Sequence, residues 1–326
     1  MRCGSPLVRA GELRKFFTAN AKPGRQRCQL WDSRQAMSAT KKTQGELVEA
    51  ALFHYDGHTL LPLIDIGANL ADPSFDTDRE EVIARARRAG IAALVATGTS
   101  VRSTSRAAKI AESSQYPIYF TAGIHPHEAK SCTEGTIEQL RSFAAHPRCV
   151  AVGECGLDFN RNFSEPAVQE TWFREQVKLA VELRKPLFLH CRDAADRLIS
   201  ILQEQTLTAP AVAHCFTGTK EELEKYIEMG LYIGITGWVC DDRPERGGQE
   251  LASIVSLIPE DRLMLETDCP YLVPRTIRPS KARPRRNEPA LLPHVLQAVA
   301  DAVGEDMETV AQRTTENAQQ FFGLQA

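Results

Sequence analysis

The sequence predicts an α/β protein folded as a (β/α)8 TIM barrel, and three observations lead there. From residue 61 onward, eight short apolar runs alternate with longer amphipathic stretches. Near-continuous apolar runs suit strands buried on both faces, as in a parallel sheet. Nearly every run ends in a polar or charged group. A barrel gathers such strand ends around one axis, whereas an open doubly wound sheet spreads them in a line.

The first run, 61–67, brings Asp65 and Asn69 to its end, and 75–90 reads as the helix that follows, closing on Gly90 at a C′ position. The run 91–98 ends at Thr97 and Thr99, and 117–125 ends at His125. The run 150–156 carries Glu154. The helix over 169–184 is the clearest, with Trp172, Phe173, Val177, Leu179, Ala180, Val181 and Leu183 on a broad apolar face. The runs 186–191 and 209–216 carry His190 and His214, and 219–230 is a helix closing on Gly230. The runs 231–237 and 263–270 carry Thr236 and Asp268, and helices over 289–303 and 305–322 follow. Between the last strand and those helices, 275–286 holds six basic residues and no acid. Pro279 and Pro284 make it a loop, on the barrel face where the strands end. There is no GxGxxG, P-loop motif or internal repeat.

The chain has 326 residues, 43 % apolar and 25 % charged, so a core of normal size can form. Residues 1–60 read as an N-terminal extension, in part disordered, and 61–326 as one barrel domain. The first 44 residues carry ten Lys or Arg against two acids, Glu12 and Asp32. That balance fits an organelle transit peptide. Without a clear amphipathic helix, a disordered extension is the simpler reading, or a start site upstream of a working one at Met37. Nine cysteines, with no CxxC, argue against a disulfide framework and for a reducing, cytoplasmic setting. Cys155, Cys191, Cys215 and Cys269 each follow a candidate ligand and should face the other way, as small packing residues. No stretch approaches the roughly 20 apolar residues of a membrane span. No obligate protein partner is implied. The net charge of −3 excludes a broadly basic nucleic-acid binder, so any such contact needs a local patch.

Glu154, His190, His214 and Asp268 lie on four different strand ends. Imidazole with carboxylate suits zinc, manganese or iron, and the carboxylate-rich positions also accept magnesium. A carboxylate ending an apolar strand is costly to bury unpaired, and a divalent cation would satisfy it. Such a cation lowers the pKa of bound water to about 7 and so supplies hydroxide. Glu154 is the candidate bridge if two ions bind, and Asp268 either holds and deprotonates the attacking water or is purely a ligand. His125 and His127, either side of Pro126, could donate to a phosphate or protonate a leaving group. They could also simply anchor their loop. The basic loop, Arg285 and Arg286 above all, is a candidate phosphate contact, since barrel phosphate sites often use the loops near strands seven and eight.

Seven segments in order then resemble the TatD family of metal-dependent deoxyribonucleases, in the amidohydrolase-like barrel superfamily. They are Asp65-Ile66-Gly67-Ala68-Asn69-Leu70, Gly123-Ile124-His125-Pro126-His127, Gly153-Glu154-Cys155-Gly156-Leu157-Asp158 and Leu189-His190-Cys191-Arg192, then His214-Cys215-Phe216-Thr217-Gly218, Glu266-Thr267-Asp268-Cys269-Pro270-Tyr271 and Arg286-Asn287-Glu288-Pro289. The resemblance covers the whole barrel. Residues 156–164 point to the subgroup of the family's namesake. The resemblance implies a divalent metal, magnesium first, with manganese or zinc as alternatives. It implies hydrolysis of DNA, including exonuclease action from the 3′ end, with RNA a further possible substrate. It also implies that Glu154, His190 and His214 are ligands, that Asp268 is metal-bound or catalytic, that Glu266 is a further functional acid and that His125 lies in the substrate site. One departure stands out: the His-x-His that much of the family carries on the first strand is here Gly67 and Asn69. Gly offers no ligand atom and Asn a weak one, so one tight ion and at most one loose ion are expected. Asn69 and His127 then join Arg285 and Arg286 as candidate substrate contacts.

The expected function is therefore a metal-dependent 3′–5′ exonuclease on single-stranded DNA, or RNA. The alternative is a metal-dependent hydrolase of a small amide, lactone or aminoacyl ester, because fold does not fix function. A non-catalytic binding protein fits least, since the acid and imidazole set is complete. Phe159, Phe163 and Trp238 are candidate platforms for unpaired bases, or else packing residues.

Overall fold

The computed structural model describes residues 42–52 and 62–324. The readings of Met37, Cys3, Cys28 and the basic first 41 residues lie outside them. Eight parallel strands follow one another in space in chain order: β1 (Leu63–Ala68), β2 (Ile91–Ala96), β3 (Ile118–Ala122), β4 (Cys149–Asp158), β5 (Leu187–Arg192), β6 (Ala211–Ala213), β7 (Tyr232–Ile235) and β8 (Leu263–Leu265). A parallel bridge joins Ala68 to Cys269, and Asn69 N donates to Cys269 O at 2.8 Å. The first and last strands thus meet, giving the predicted (β/α)8 barrel.

Helices fill the crossovers: α2 (Arg79–Arg88), α3 (Val101–Ser113), α4 (Thr136–Ala144), α5 (Pro166–Leu183), α6 (Ala195–Leu202), α7 (Lys220–Glu228) and α8 (Gly248–Ile254), while α9 (Leu292–Val303) and α10 (Met307–Phe322) follow β8. Local chemistry sets their ends. Ser100 caps α3, and Thr219 with Glu222 forms a capping box on α7. Gly90 and Gly230 take φ of 85° and 75° after α2 and α7, as their positions predict. Several predicted runs outlast their strands, and beyond β6 and β8 the backbone turns at Cys215 and Asp268, with φ of 45° and 50°.

The core has two layers. Inside the barrel, Ile64, Ile66, Val95, Phe188, Val212 and Met264 pack together, with Phe321 and Phe322 of α10 in the same cluster. Outside it, the other strand faces meet the helices through residues such as Phe120, Phe173, Leu198 and Val299. Strand alternation then sets Phe188 below His190, Val212 below His214 and Met264 below Glu266. The apolar layer is a floor for the polar one. Among the described residues, no helix is long and apolar enough to cross a membrane.

The span expected as an extension carries a helix, α1 (Gln44–Ala51). Thr43 and Glu46 form its capping box, and Val48 and Ala51 pack with Ala89, Ile277, Ala290 and Leu291. His294 Nε2 donates to Ala51 O at 2.7 Å, tying α1 to α9. At eight residues, α1 is too short for its apolar period to stand out.

The basic loop has no regular helix beyond a single 3-10 turn, Ser280–Ala282. Its charge meets acids from elsewhere. Arg275 and Arg278 bond Asp242 at 2.9 and 2.5 Å, and Arg283 donates to Arg275 O at 2.9 Å.

Candidate active site

The site is built on Glu154. Its strand bends there: the β4–β5 register shifts between Gly153 and Cys155. Gly153 has φ 143°, and a Cβ on it would stand 2.3 Å from Phe188 O. Only glycine allows that approach, and the resulting irregularity turns Glu154 toward the barrel axis. Three imidazoles converge on its Oε1: His214 Nε2 at 2.8 Å, His190 Nδ1 at 2.9 Å and His125 Nε2 at 3.2 Å. Ligand atoms of His125, Glu154 and His190 lie within 4.8 Å of one another. The second nitrogen of His190, Nε2, is buried with no hydrogen-bond partner among the described residues. Asp158 Oδ2 is 3.7 Å from it, too far to serve. Converging nitrogens on a shared carboxylate oxygen, with one buried nitrogen unpartnered, suit a bound cation.

The electrostatics agree. Burial opposes ionisation of Glu154, but His214 and His125 outweigh it and hold the carboxyl well below its usual range. Burial likewise opposes a charge on His214, yet Glu154 and Glu266 raise it well above the ordinary imidazole value. Burial pushes His125 down to about 4, against the pull of Glu154. Burial raises Asp268 to about 7, with Glu154 and Glu266 adding to it and His214 opposing. This concentration of buried acid and imidazole is a mark of functional sites.

Glu266 sits deeper. Cys215 N donates to its Oε1, and its Oε2 lies 3.3 Å from His214 Nδ1. Asn69 Nδ2 donates to Asp268 Oδ1 at 2.9 Å. Asp65 does not face the site, for its carboxylate accepts from Thr267 N and Oγ1 at 2.9 and 2.5 Å and fixes the Glu266–Asp268 segment from behind. His127 Nε2 is 2.6 Å from Asp158 Oδ2, and Asp158 Oδ1 accepts from Asn160 N and Arg161 N.

The site opens on a cleft of about 610 Å³, which Glu266, Asp65 and Asp158 support without lining it. Glu154, His190, His214, Asp268, His125, Asn69 and His127 all line it, as the sequence led one to expect of a single site. Arg285 and Arg286 do not. Arg286 is committed to Asp78 at 2.6 and 2.9 Å and to Glu288 at 2.9 Å, and stacks on Phe75 at 4.4 Å. Arg285 is exposed away from the cleft lining. The reason is chemical: Asp78, 208 residues away, and the neighbouring buried Glu288 together claim the Arg286 guanidinium. The cleft instead carries Arg161, Arg192 and Arg246, none singled out from sequence. Arg192 had a signal, because two residues past His190 on one strand it shares that face. Arg246 had none. Phe159 packs against the core, while the Trp238 ring lies 4.7 Å under the Arg246 guanidinium. Cys155 and Cys269 are buried packing residues as expected, but Cys191 and Cys215 are partly exposed and line the cleft.

Comparison with known proteins matches the sequence and the fold to a family. Residues 64–323 match the family model described as TatD related DNase. The 3′-5′ ssDNA/RNA exonuclease TatD of Escherichia fergusonii is 48 % identical over 264 residues, covering 80 % of this chain and 99 % of that protein. The protein of that name from Erwinia tasmaniensis is 50 % identical over 266 residues, covering 80 % and 100 %. Among solved structures, the TatD homolog YjjV of Escherichia coli K12 superposes with a TM-score of 0.73 at 27 % identity, over 82 % of this chain and 100 % of that one. A TatD family hydrolase from Entamoeba histolytica gives 0.72 at 25 % identity, over 81 % and 99 %.

Proposed function

The chain belongs to the TatD-related DNase family, and from that membership we propose that it removes nucleotides from the 3′ end of single-stranded DNA or RNA. It is a metal-dependent hydrolase of nucleic-acid phosphodiester bonds. The observation that carries the reading is the convergence of His125, His190 and His214 on Glu154 Oε1 at the cleft whose lining bears Arg161, Arg192 and Arg246. The residues fit a divalent ion, with Glu154, His190, His125 and His214 as its holders and Asp268 beside them. Such an ion would polarise the scissile phosphate and acidify a water. Three imidazoles make the donor set softer than magnesium's usual oxygen shell, so we favour manganese or zinc in this corner, with magnesium the weaker candidate.

The chain's own groups supply the rest. Asn69 anchors Asp268 Oδ1, which leaves Oδ2 to take a proton from the attacking water. Glu266 keeps His214 oriented through Nδ1, so that Nε2 faces Glu154. Asp158 does the same for His127, whose imidazole is our candidate donor to the leaving oxygen. Arg161, Arg192 and Arg246 offset phosphate charge along the strand.

The test is cleavage of labelled single-stranded DNA and RNA by metal-stripped protein, given magnesium, manganese or zinc, beside Glu154→Ala. Metal-restored shortening from the 3′ end, absent in the variant, is expected. Folded, metal-loaded protein that cuts neither polymer would move the substrate to a small ester or amide.

A further inference from the structure

Large apolar side chains are exposed at three described positions, Phe163 at 54 %, Leu257 at 43 % and Tyr271 at 57 %. A lone exposed aromatic needs no explanation. Two of these three, however, bear on the catalytic cleft: one lines it and the other packs on a residue that does. Tyr271 lines the cleft from the segment after β8. Phe163 comes from the loop after β4, and its ring meets the cleft-lining His127 edge-on at 4.7 Å.

Neither aromatic is on a slack loop. Asn162, at φ 49°, donates from Nδ2 to Phe159 O at 2.7 Å, and Ser164 Oγ donates to His127 O at 3.1 Å, so the chain is pinned on both sides of Phe163. Tyr271 N donates to Asp268 O at 3.1 Å, while Asn287 N donates to Pro270 O at 3.0 Å and Asn287 Nδ2 to Leu272 O at 3.3 Å. Each ring is therefore held in register with a residue of the site, one with His127 and the other with Asp268. Of the other candidate platforms, Phe159 is packed against the core, and Trp238 lines the cleft with the Arg246 guanidinium over its ring.

We infer that Phe163 and Tyr271 are a pair of stacking platforms that hold unpaired bases of the polynucleotide while its phosphate lies over Glu154. The inference rests on the exonuclease reading and adds how the substrate is chosen. A rigid exposed ring offers its face to any base without sequence preference. In a duplex, stacking covers every base face except the outer face of the terminal pair, so two rings on separate residues cannot both be used and a duplex end is disfavoured.

The test uses the full metal-loaded chain and two single-stranded oligonucleotides. They are identical except that the two 3′-terminal nucleotides of one lack bases. Wild type, Phe163→Leu, Tyr271→Leu and Tyr271→Phe are compared by KM and kcat. On the normal strand, KM should rise roughly tenfold in each Leu variant with kcat little changed, and Tyr271→Phe should behave as wild type. On the abasic strand, wild type should show the raised KM and the Leu variants should lose nothing more. Leu variants that match wild type on the normal strand, or that lose equally on both strands, overturn the stacking pair alone. Wild type that leaves both strands intact overturns the exonuclease reading and this inference with it.

Discussion

Gly67 and Glu266 contend for one volume: a Cβ on Gly67 would stand 2.1 Å from Glu266 Oε2. Gly234 meets the same carboxylate from the other side, its Cβ falling 2.5 Å from Oε1. The glycine at position 67 is therefore the room that Glu266 needs beside His214, and the departure from the His-x-His pattern follows from it. Gly67→Ala should displace Glu266, lowering kcat/KM at least tenfold while costing about 1–3 kcal/mol of stability by overpacking. Unchanged kinetics with a normal melting curve would show that Glu266 has space to spare.

Arg286 serves the fold. Its guanidinium joins Asp78 and the fully buried Glu288, which Arg85 Nε also reaches at 2.7 Å. Removing Arg286 leaves Asp78 and the desolvated Glu288 to share the single guanidinium of Arg85. Arg286→Ala should cost about 3 kcal/mol, toward the low end for buried pairs because the side chain keeps some access to water. Thermal denaturation would register this as a fall of roughly 6–12 °C. Arg285→Ala, at an exposed position, should melt like wild type.

The cleft arginines should carry the salt dependence of substrate binding. Each phosphate contact on a single strand contributes about −0.7 to the log–log slope. Replacing Arg161, Arg192 or Arg246 by Ala should flatten the slope by about that amount in anisotropy titrations with single-stranded DNA. Arg285→Ala should leave it unchanged, and the reverse pattern would return the phosphate path to the basic loop.

Stability should fall with acid in a way that His294 helps to set. Burial lowers its pKa, against the Ala51 carbonyl that accepts from it. A histidine depressed in the fold is neutral in both states above about 6.5, the unfolded value. As pH drops below that, the unfolded chain takes up a proton first, and stability is lost until the folded pKa is passed. Wild type should thus lose more melting temperature between pH 7.5 and 5.5 than His294→Gln. Equal losses would remove His294 from the acid response. Asp65, raised to about 7 chiefly by burial, works in the opposite sense in this range, so the difference between the two proteins is the informative quantity.

Much of this architecture was legible in the residues. Alternating runs gave the barrel, and the last polar residue of each run gave most of the cleft, because strand ends in this fold converge whatever their sequence distance. His125 was read as a substrate-site group, yet its Nε2 lies as near Glu154 Oε1 as a ligand would. Chain order does not reveal which imidazoles point at a common atom. The basic loop misled for a related reason: a run of like charge says nothing of the acids that fold onto it, and Asp78 precedes Arg286 by 208 residues. That Tyr271 and Arg246 line the cleft is not legible in the sequence, because exposure of a loop side chain depends on the turn that presents it.

The hydrogen bond from Asn69 to Asp268 spans 199 residues and crosses the seam where the barrel closes. Glu266 and Asp268 arrive only with the eighth strand, so the cleft lacks its Asp268 and Tyr271 wall until the seam is sealed. A chain that ends ahead of residue 266 has the imidazoles of the middle strands but neither Glu266 nor Asp268. On the proposed mechanism, the water-activating carboxylate is therefore the last part of the centre to be made, and hydrolytic competence should appear only once the eighth strand has docked against the first.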